Sequence, residues 1–422
     1  MRRVRTILLV SMVCVVPLLA RAADNDALGD PLSREAVVAY ARAHNPEIRA
    51  ATARADAAGA RPGQAGALPD PMVQAAYHDE GFDRLQLGGT EFAYLKFGAS
   101  QELPFPGKLG LKREIATRDA AGTREEARRV ELDVISRVKM AYAEYAHLQV
   151  LLDLLRRNRD LLEKFARTAE SRYAVGEGIQ QDVLKAHVEL SLLDERETML
   201  DQRKQSQVAE LNALLDRAPD APLGVPEHPV LKSLARSLED FTDAAHGHAP
   251  ELKSADWRVA SGESSLALAH REFLPDFVLS ADYMYKSALL PEWEVGVGVK
   301  VPLYYLTKQH AGAAEAAAGL AMAEAERDTT RRSVDYRVKD LYLKAQASER
   351  LISLYLTTVV PQARLALESA THAYEVGKVD FLTLLNSFTV MLEYEMRYHE
   401  ELANFQKAVA ELEAVSGVSV EG

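Results

Sequence analysis

The sequence predicts a mixed fold of α-helix and membrane β-structure: long antiparallel coiled-coil hairpins joined to four β-strands per chain, the strands contributing to a barrel shared between chains. Three observations carry that expectation. The 422-residue chain is one unit written twice, its long proline-free stretches follow a coiled-coil period, and short segments between them alternate with a period of two.

The duplication is plain in Arg137-Val138-Lys139-Met140-Ala141-Tyr142, which returns 200 residues later as Arg337-Val338-Lys339-Asp340-Leu341-Tyr342. At the same offset Val134, Leu152 and Lys108 match Val334, Ile352 and Lys308. Tyr173-Ala174-Val175-Gly176 matches Tyr374-Glu375-Val376-Gly377, Pro46-Glu47-Ile48 matches Pro250-Glu251-Leu252, and Leu68-Pro69-Asp70 matches Leu274-Pro275-Asp276. A repeat this long is a duplicated half-protein rather than a short solenoid unit.

In the first copy no proline occurs from Gly107 to Ala218 and no glycine from Thr123 to Val175. Val134, Val138, Ala141, Tyr145, Leu148, Leu152 and Leu155 follow at alternating steps of 4 and 3, the spacing of a coiled-coil seam. A helix from Gly107 to about Arg172 would be roughly 100 Å long, too long for a compact soluble domain. Val175-Gly176-Glu177-Gly178 ends it, and Val183, Leu184, His187 and Leu190 restart the seam toward Leu215. The second copy repeats the hairpin from about His310 to Tyr374, turns at Gly377-Lys378, and returns to Val415. Pro361 should bend its ascending helix.

Between a shorter leading helix, about Pro46–Ala60, and the first long helix the period becomes two. Ala93, Leu95, Phe97 and Ala99 alternate with Tyr94, Lys96, Gly98 and Ser100. In the second copy Trp293, Val295, Val297, Val299 and Val301 alternate with Glu294, Gly296, Gly298 and Lys300. Each copy therefore carries a strand pair, Pro71–His78 with Glu91–Leu103 and Phe277–Lys286 with Trp293–Val301. A half-buried soluble hairpin looks the same locally, but this chain has no other sheet against which those valines could be buried. Four strands cannot close a membrane barrel, which starts at about eight; a dimer would give eight and a trimer twelve, and a through-going channel needs the larger. Pro219, Pro222, Pro226 and Pro229 mark the linker between copies, followed by a short helix over Leu231–Ala245.

Arg2, Arg3 and Arg5 precede an apolar run from Ile7 to Leu19, and Ala20-Arg21-Ala22 supplies the small residues of a cleavage site, so the chain reads as exported. The run is too short to span a bilayer as a helix. Its Cys14 is the only cysteine of the chain and lacks the preceding small residue of a lipoprotein signal, so neither a disulfide nor a lipid anchor is expected after cleavage. Loss of the leader's four arginines takes 50 basic residues to 46 against 62 acidic ones, a net charge of −16. That balance excludes nucleic acid as a partner. It fits plain solubility or an acidic lumen that favours cations.

There is no phosphate loop, no HExxH, no Gly-x-Ser-x-Gly and no cysteine ligand set, so neither a cofactor nor an enzyme activity is expected. His246-Gly247-His248 reads as a solvated turn beside the linker rather than a metal site. Met391 and Met396, with Tyr394 and Tyr398, read as helix packing.

Asn45-Pro46-Glu47, the exit motif Gln101-Glu102-Leu103-Pro104-Phe105-Pro106-Gly107-Lys108 and the two Tyr-x-Val-Gly turns, duplicated and in order, resemble the outer-membrane efflux channels of the TolC family over the whole mature sequence. The exit motif and the short glycine turns point to the CusC/CzcC heavy-metal branch, many of whose members are lipidated at a cysteine that this chain lacks. The resemblance implies a homotrimer with a twelve-stranded barrel in the Gram-negative outer membrane and a helical tunnel across the periplasm. It implies a passive exit duct for metal cations or small toxic compounds, fed by a periplasmic adaptor and an inner-membrane RND-type pump. The unit then divides into a signal peptide at 1–22 and repeats at 44–217 and 248–417 linked by 218–247. Barrel strands lie within 71–103 and 277–301, and tunnel hairpins are at 107–215 and 310–415.

By the same resemblance the turns at Val175, Gly176 and Glu177 and at Val376, Gly377 and Lys378 are the tips where an adaptor docks; glycine as a plain turn residue is the competing reading. The family's tip latch, a tyrosine bonded to an aspartate, falls on Tyr374 and Asp182, where Asp182 as a helix cap is the alternative. Its companion arginine and threonine are replaced by Val379 and Gln181. The two aspartates that narrow the family's closed pore fall on Thr383 and Asn386, so the acidic constriction is missing unless Asp380 substitutes for it. Protein or peptide secretion would use the same architecture. A periplasmic coiled-coil scaffold would leave the apolar face of Trp293–Val301 unexplained.

Overall fold

The computed structural model describes residues 28–79, 90–229, 231, 233–287 and 289–418. The expected leader at 1–22, with Cys14, lies outside them. The elements run α1 (Arg34–His44), α2 (Pro46–Ala65), β1 (Met72–His78), β2 (Tyr94–Leu103), α3 (Lys108–Ala174), α4 (Gln180–Leu214), α5 (Leu238–His248), α6 (Pro250–Arg271), β3 (Asp276–Tyr285), β4 (Glu292–Lys300), α7 (His310–Leu354), α8 (Val360–Glu375) and α9 (Phe381–Ser416). Single π-helical turns at Tyr305–Gln309 and Tyr355–Val359 precede α7 and α8. Long helices together with one four-stranded antiparallel sheet are the fold class expected, and no helix among the described residues is long and apolar enough to cross a membrane.

The chain falls into two compact units that cut across the sequence repeats. Of the described residues, one holds 28–43 with Ala141–Pro229; the other holds those between His44 and Met140 with those from Leu231 onward.

In the first unit the second half of α3 and α4 run antiparallel, tied by Arg156–Glu197 at 3.2 Å, by Arg159–Asp194, and by His187–Glu170 at 3.0 Å. Leu152, Leu155, Leu162 and Leu211 are fully buried. The proline-rich stretch read as a linker is held in place. Leu32 bridges Pro226 in parallel, with Leu32 N–H donating to the Val225 carbonyl at 2.9 Å and Glu227 N–H to the Leu32 carbonyl at 3.2 Å. The Tyr142 hydroxyl donates to the Leu32 carbonyl at 2.7 Å and accepts from Glu227 N–H at 3.2 Å, and Tyr145 donates to the Gly224 carbonyl. Burial pushes the Tyr142 phenol from 10.0 up to about 12; burial, then the charge of Asp30, also raises Tyr145. The helix α1 was not foreseen.

In the second unit α7 and α9 run antiparallel. Val334, Val338 and Leu341 cluster with Phe241, Leu252 and Leu412, and farther along Ala345 and Ile352 cluster with Leu402 and Phe405. Each such valine, leucine, isoleucine or phenylalanine side chain contributes about 1.5–3 kcal/mol on burial. Met391 is buried and Tyr398 packs against the second cluster. The duplication reappears in ion pairs: Arg137 bonds Glu47, and at the matching positions Arg337 bonds Glu251.

Local chemistry explains several helix ends. Asn45 caps α2 by accepting from Glu47 N–H at 2.8 Å and Ile48 N–H at 3.2 Å, ahead of Pro46. The helix expected over Leu231–Ala245 begins only at Leu238, because Ser237 and Asp240 form a capping box there. The hydrogen bonds from Ser237 hold the Asp240 carboxyl below the usual carboxylate range. His246-Gly247-His248, read as a solvated turn, is instead the last turn of α5, where His246 Nε2 lies 2.7 Å from Asp335 Oδ1. Directly upstream of Pro361, where a bend is expected, stands a π-helical turn. Proline has no N–H to offer, and there Val360 N–H reaches back five residues to the Tyr355 carbonyl.

Candidate functional site: the sheet wall and the two hairpin tips

The sheet order is β1-β2-β3-β4, antiparallel throughout. Its register assigns faces that alternation alone left open for β1 and β2. Val73 pairs with Ala99 and Ala75 with Phe97; Phe97 pairs with Tyr283 and Ala99 with Ala281; Leu279 pairs with Val297 and Phe277 with Val299. Because directly paired residues share a face, these form one continuous apolar surface across all four strands. Among the described residues nothing covers it: Val297 is 68% exposed and Trp293 77%. Its one amide, Gln101, lies near a strand end and donates to the carbonyls of Pro69 and Glu102. Aromatic residues flank the apolar band, with Tyr77, Tyr283 and Trp293 toward one end and Phe105 stacked on Phe277 at the other, the layout of a lipid-facing strand between two interfaces.

The opposite face is polar and charged. Lys96 Nζ lies 3.1 Å from Asp282 Oδ2, and Lys300 Nζ 3.1 Å from Glu102 Oε1. Gly98 makes room for this, since a Cβ there would strike Asp282 and Gln74. Glu294, paired with Asp282, adds a further acid. The side-chain order expected for Val295, Val297 and Val299 against Gly296, Gly298 and Lys300 matches these two faces.

At the foot of the sheet the exit motif makes a clasp whose role the sequence did not disclose. Lys108 is buried, and its Nζ donates to Asp276 Oδ1 at 2.9 Å, the Leu274 carbonyl at 3.0 Å and Glu272 Oε2 at 3.2 Å. Phe105 N–H also donates to Asp276 Oδ1, at 2.7 Å. Gly107 turns at φ +94, and a Cβ there would strike the guanidinium of Arg271, which donates to the Pro106 carbonyl. The signal was a lysine directly after Pro-x-Pro-Gly, which fixed its place but not its partner.

The two hairpin tips use one device. Gly176 has φ +80 and Gly377 φ +73. At the first, Gly176 N–H donates to the Tyr173 carbonyl and Glu177 N–H to the Arg172 carbonyl; at the second, Gly377 donates to Tyr374 and Lys378 to Ala373. Both are Schellman closures, which need a left-handed residue that glycine supplies without strain. Val175 and Val376 are exposed beside them. The restarts differ. Asp380 caps α9, its Oδ1 accepting from Thr383 N–H at 2.9 Å, so that carboxylate is engaged with the helix end. For α4 the capping position is Ile179, and Asp182 stands in the first turn rather than at the cap. Tyr374 is buried, while Thr383 and Asn386 are exposed on α9. Among the described residues no three of His, Cys, Asp or Glu gather as a metal site.

The model of the outer membrane efflux protein family matches residues 37–217 and 242–418, most of the chain and both repeats. The chain belongs to the outer membrane efflux protein family. It is similar to the cobalt-zinc-cadmium resistance protein CzcC of Cupriavidus metallidurans, at 22% identity over 405 residues covering 92% of this chain and 90% of the relative. Among solved structures it is similar in fold to VceC of Vibrio cholerae, with a TM-score of 0.78 and 21% identity over 92% of this chain and 97% of that one. It is equally similar to CusC, with a TM-score of 0.78, 15% identity and 92% of each chain covered. The efflux protein is thus a TolC-like outer-membrane factor, and its place is the outer membrane with an extension into the periplasm. The family and its fold are those of efflux channels of tripartite systems, not of enzymes.

Proposed function

We propose that this efflux protein is the passive exit duct of a tripartite system, three copies closing a twelve-stranded barrel whose apolar face meets outer-membrane lipid and whose charged face lines the pore. The carrying observation is the sheet itself: among the described residues an uncovered apolar face spans four strands with open edges at β1 and β4. Open edges are not tolerated in lipid, so the sheet demands closure by further copies.

Substrate enters from an inner-membrane RND-type pump through a periplasmic adaptor. The adaptor docks on the tips at Val175, Gly176 and Glu177 and at Val376, Gly377 and Lys378, where exposed valines flank bare glycine backbone. Asp182 and Tyr374, beside those turns, restrain opening, whereas Thr383 and Asn386 leave the pore without the family's acidic constriction and the Asp380 carboxylate is engaged with the start of α9. The similarity to CzcC favours divalent metal cations as cargo, and the acids on the polar face suit cations. Deletion of the gene from its host should raise sensitivity to cobalt, zinc and cadmium, and the intact gene should restore resistance. Unchanged metal tolerance together with lost tolerance to organic compounds would reassign the cargo.

A further inference from the structure

The junction between strand and helix is written twice in the sequence but completed once within the chain. Lys108, at the exit of β2, is clasped by Asp276, the Leu274 carbonyl and Glu272, all from the lead-in to β3. The parts of a second clasp are present, since Lys308 repeats Lys108 and Leu68-Pro69-Asp70 repeats Leu274-Pro275-Asp276. That second clasp is unmade. Lys308 and Asp70 are exposed, and among the described residues neither side chain has a hydrogen-bond or ionic partner.

Topology explains why. The order β1-β2-β3-β4 sets the exit of β2 beside the lead-in to β3, whereas the exit of β4 and the lead-in to β1 stand at opposite edges of the sheet. A second copy laying its β1 against this β4 would bring the missing halves together. Resting on the shared barrel proposed above, we infer that Lys308 of each copy is clasped by Asp70 of the next, with the Leu68 carbonyl as a second acceptor, and that this clasp sets the register between copies.

The same correspondence gives that register. Within the chain Leu103, just before Pro104, pairs with Phe277, just after Asp276. Pro302 repeats Pro104 at the end of β4 and Asp70 repeats Asp276, so Val301 falls opposite Pro71 of the second copy. Val299 then faces its Val73, Val297 its Ala75 and Val295 its Tyr77. Each of these pairs joins apolar face to apolar face. On the polar side Glu294, which has no side-chain partner among the described residues, falls opposite His78. A slip of one residue would set the apolar face against the polar one. A slip of two would keep the faces but part Lys308 from Asp70 by about 7 Å.

The copies of the junction are not identical. Two more residues separate Pro302 from Lys308 than Pro104 from Lys108, and the π-helical turn Tyr305–Gln309 takes up extra chain at that place. Glu272 and Arg271 are matched by Gly66 and Ala65, so the seam between copies lacks two of the side chains that brace the inner junction. The clasp between copies therefore rests on fewer bonds, with Asp70 as its only acid.

The test uses the full-length protein in outer membranes. Val73→Cys with Val299→Cys, in a chain whose sole other cysteine is in the leader, should yield covalent multimers on oxidation, while Val73→Cys with Gly298→Cys, on opposite faces, should not. Lys308→Glu and Asp70→Lys should each lower the temperature at which the oligomer dissociates by several degrees, and the two together should recover at least half of that loss. Cross-linking at the first pair with recovery in the double exchange supports the clasp. An oligomer that cross-links only at the second pair, or a double exchange no better than either single one, overturns the clasp and leaves the shared barrel standing. Monomers by mass with no cross-link at either pair overturn both.

Discussion

Tyr374 meets Phe381 edge-on across the second hairpin tip, with ring centroids 5.6 Å apart and planes at 63°. Both rings are buried, so the end of α8 and the start of α9 are held together by an apolar contact as well as by the glycine turn. Edge-to-face pairs contribute about 0.5–1.5 kcal/mol beyond the area they bury.

Tyr374→Phe keeps that ring contact and removes only the hydroxyl. It should cost no more than about 0.5–1.5 kcal/mol of stability, and, if the hydroxyl restrains the gate, single-channel conductance should rise above wild type. Phe381→Ala should cost about 3–5 kcal/mol. Unchanged conductance in Tyr374→Phe would assign the closed state to the apolar contacts of Phe381 and Leu385.

The register of the sheet separates neighbouring residues on β4 by face. Val297→Arg, on the apolar surface, should lose about 2–4 kcal/mol near the membrane midplane and show little protein in the outer-membrane fraction. Gly298→Ser, where a Cβ would meet Val278 at an ordinary 3.6 Å, should insert normally. The reverse pattern would show that the faces are exchanged.

Where one force dominates, the sequence was easy to read. Alternation in Trp293–Val301 announced β4 because every second residue is apolar, and Gly176 and Gly377 announced the tips because little else tolerates their backbone. For β1 and β2 the same alternation was blurred by Tyr94 and His78, which stack on each other on the polar face; pairing, not periodicity, decides their orientation. The start of α5 was mislaid although Ser237 and Asp240 spelled its capping box. Lys108 was visible only as a repeated residue, since its partners lie more than 160 positions away in sequence. The π-helical turn before Pro361 has no local signature beyond the proline.

The tips also permit a separation of fold from docking. Asparagine tolerates the left-handed conformation, so Gly176→Asn with Gly377→Asn should preserve oligomer yield and membrane insertion. Valine at both positions should lower yield, because a β-branched residue is strained at positive φ. If the adaptor reads bare glycine backbone, the asparagine variant should insert yet fail to support efflux in a resistance assay; full efflux would assign the glycines to the turn alone.

Alkaline pH should weaken the first unit through Tyr142. Its phenol is raised by burial to about 12, above its ordinary 10.0. The neutral form is favoured in the folded state, so its contribution is complete below pH 10 and is lost as pH climbs from 10 through about 12. By linkage this rise of the phenol corresponds to roughly 2–3 kcal/mol at most. Denaturant unfolding followed from pH 9 to 12 should show that decline in wild type and a flatter one in Tyr142→Phe, which starts lower by about 1–2 kcal/mol because Glu227 N–H and the Leu32 carbonyl lose their shared partner.

The four strands of one chain can line a pore through this efflux protein only when further copies close the sheet. The most direct measurement is the mass of the detergent-solubilised protein, taken on the same sample whose conductance is recorded in a planar lipid bilayer. Three chains per particle with discrete channel openings are predicted; a single chain with no conductance would contradict the account.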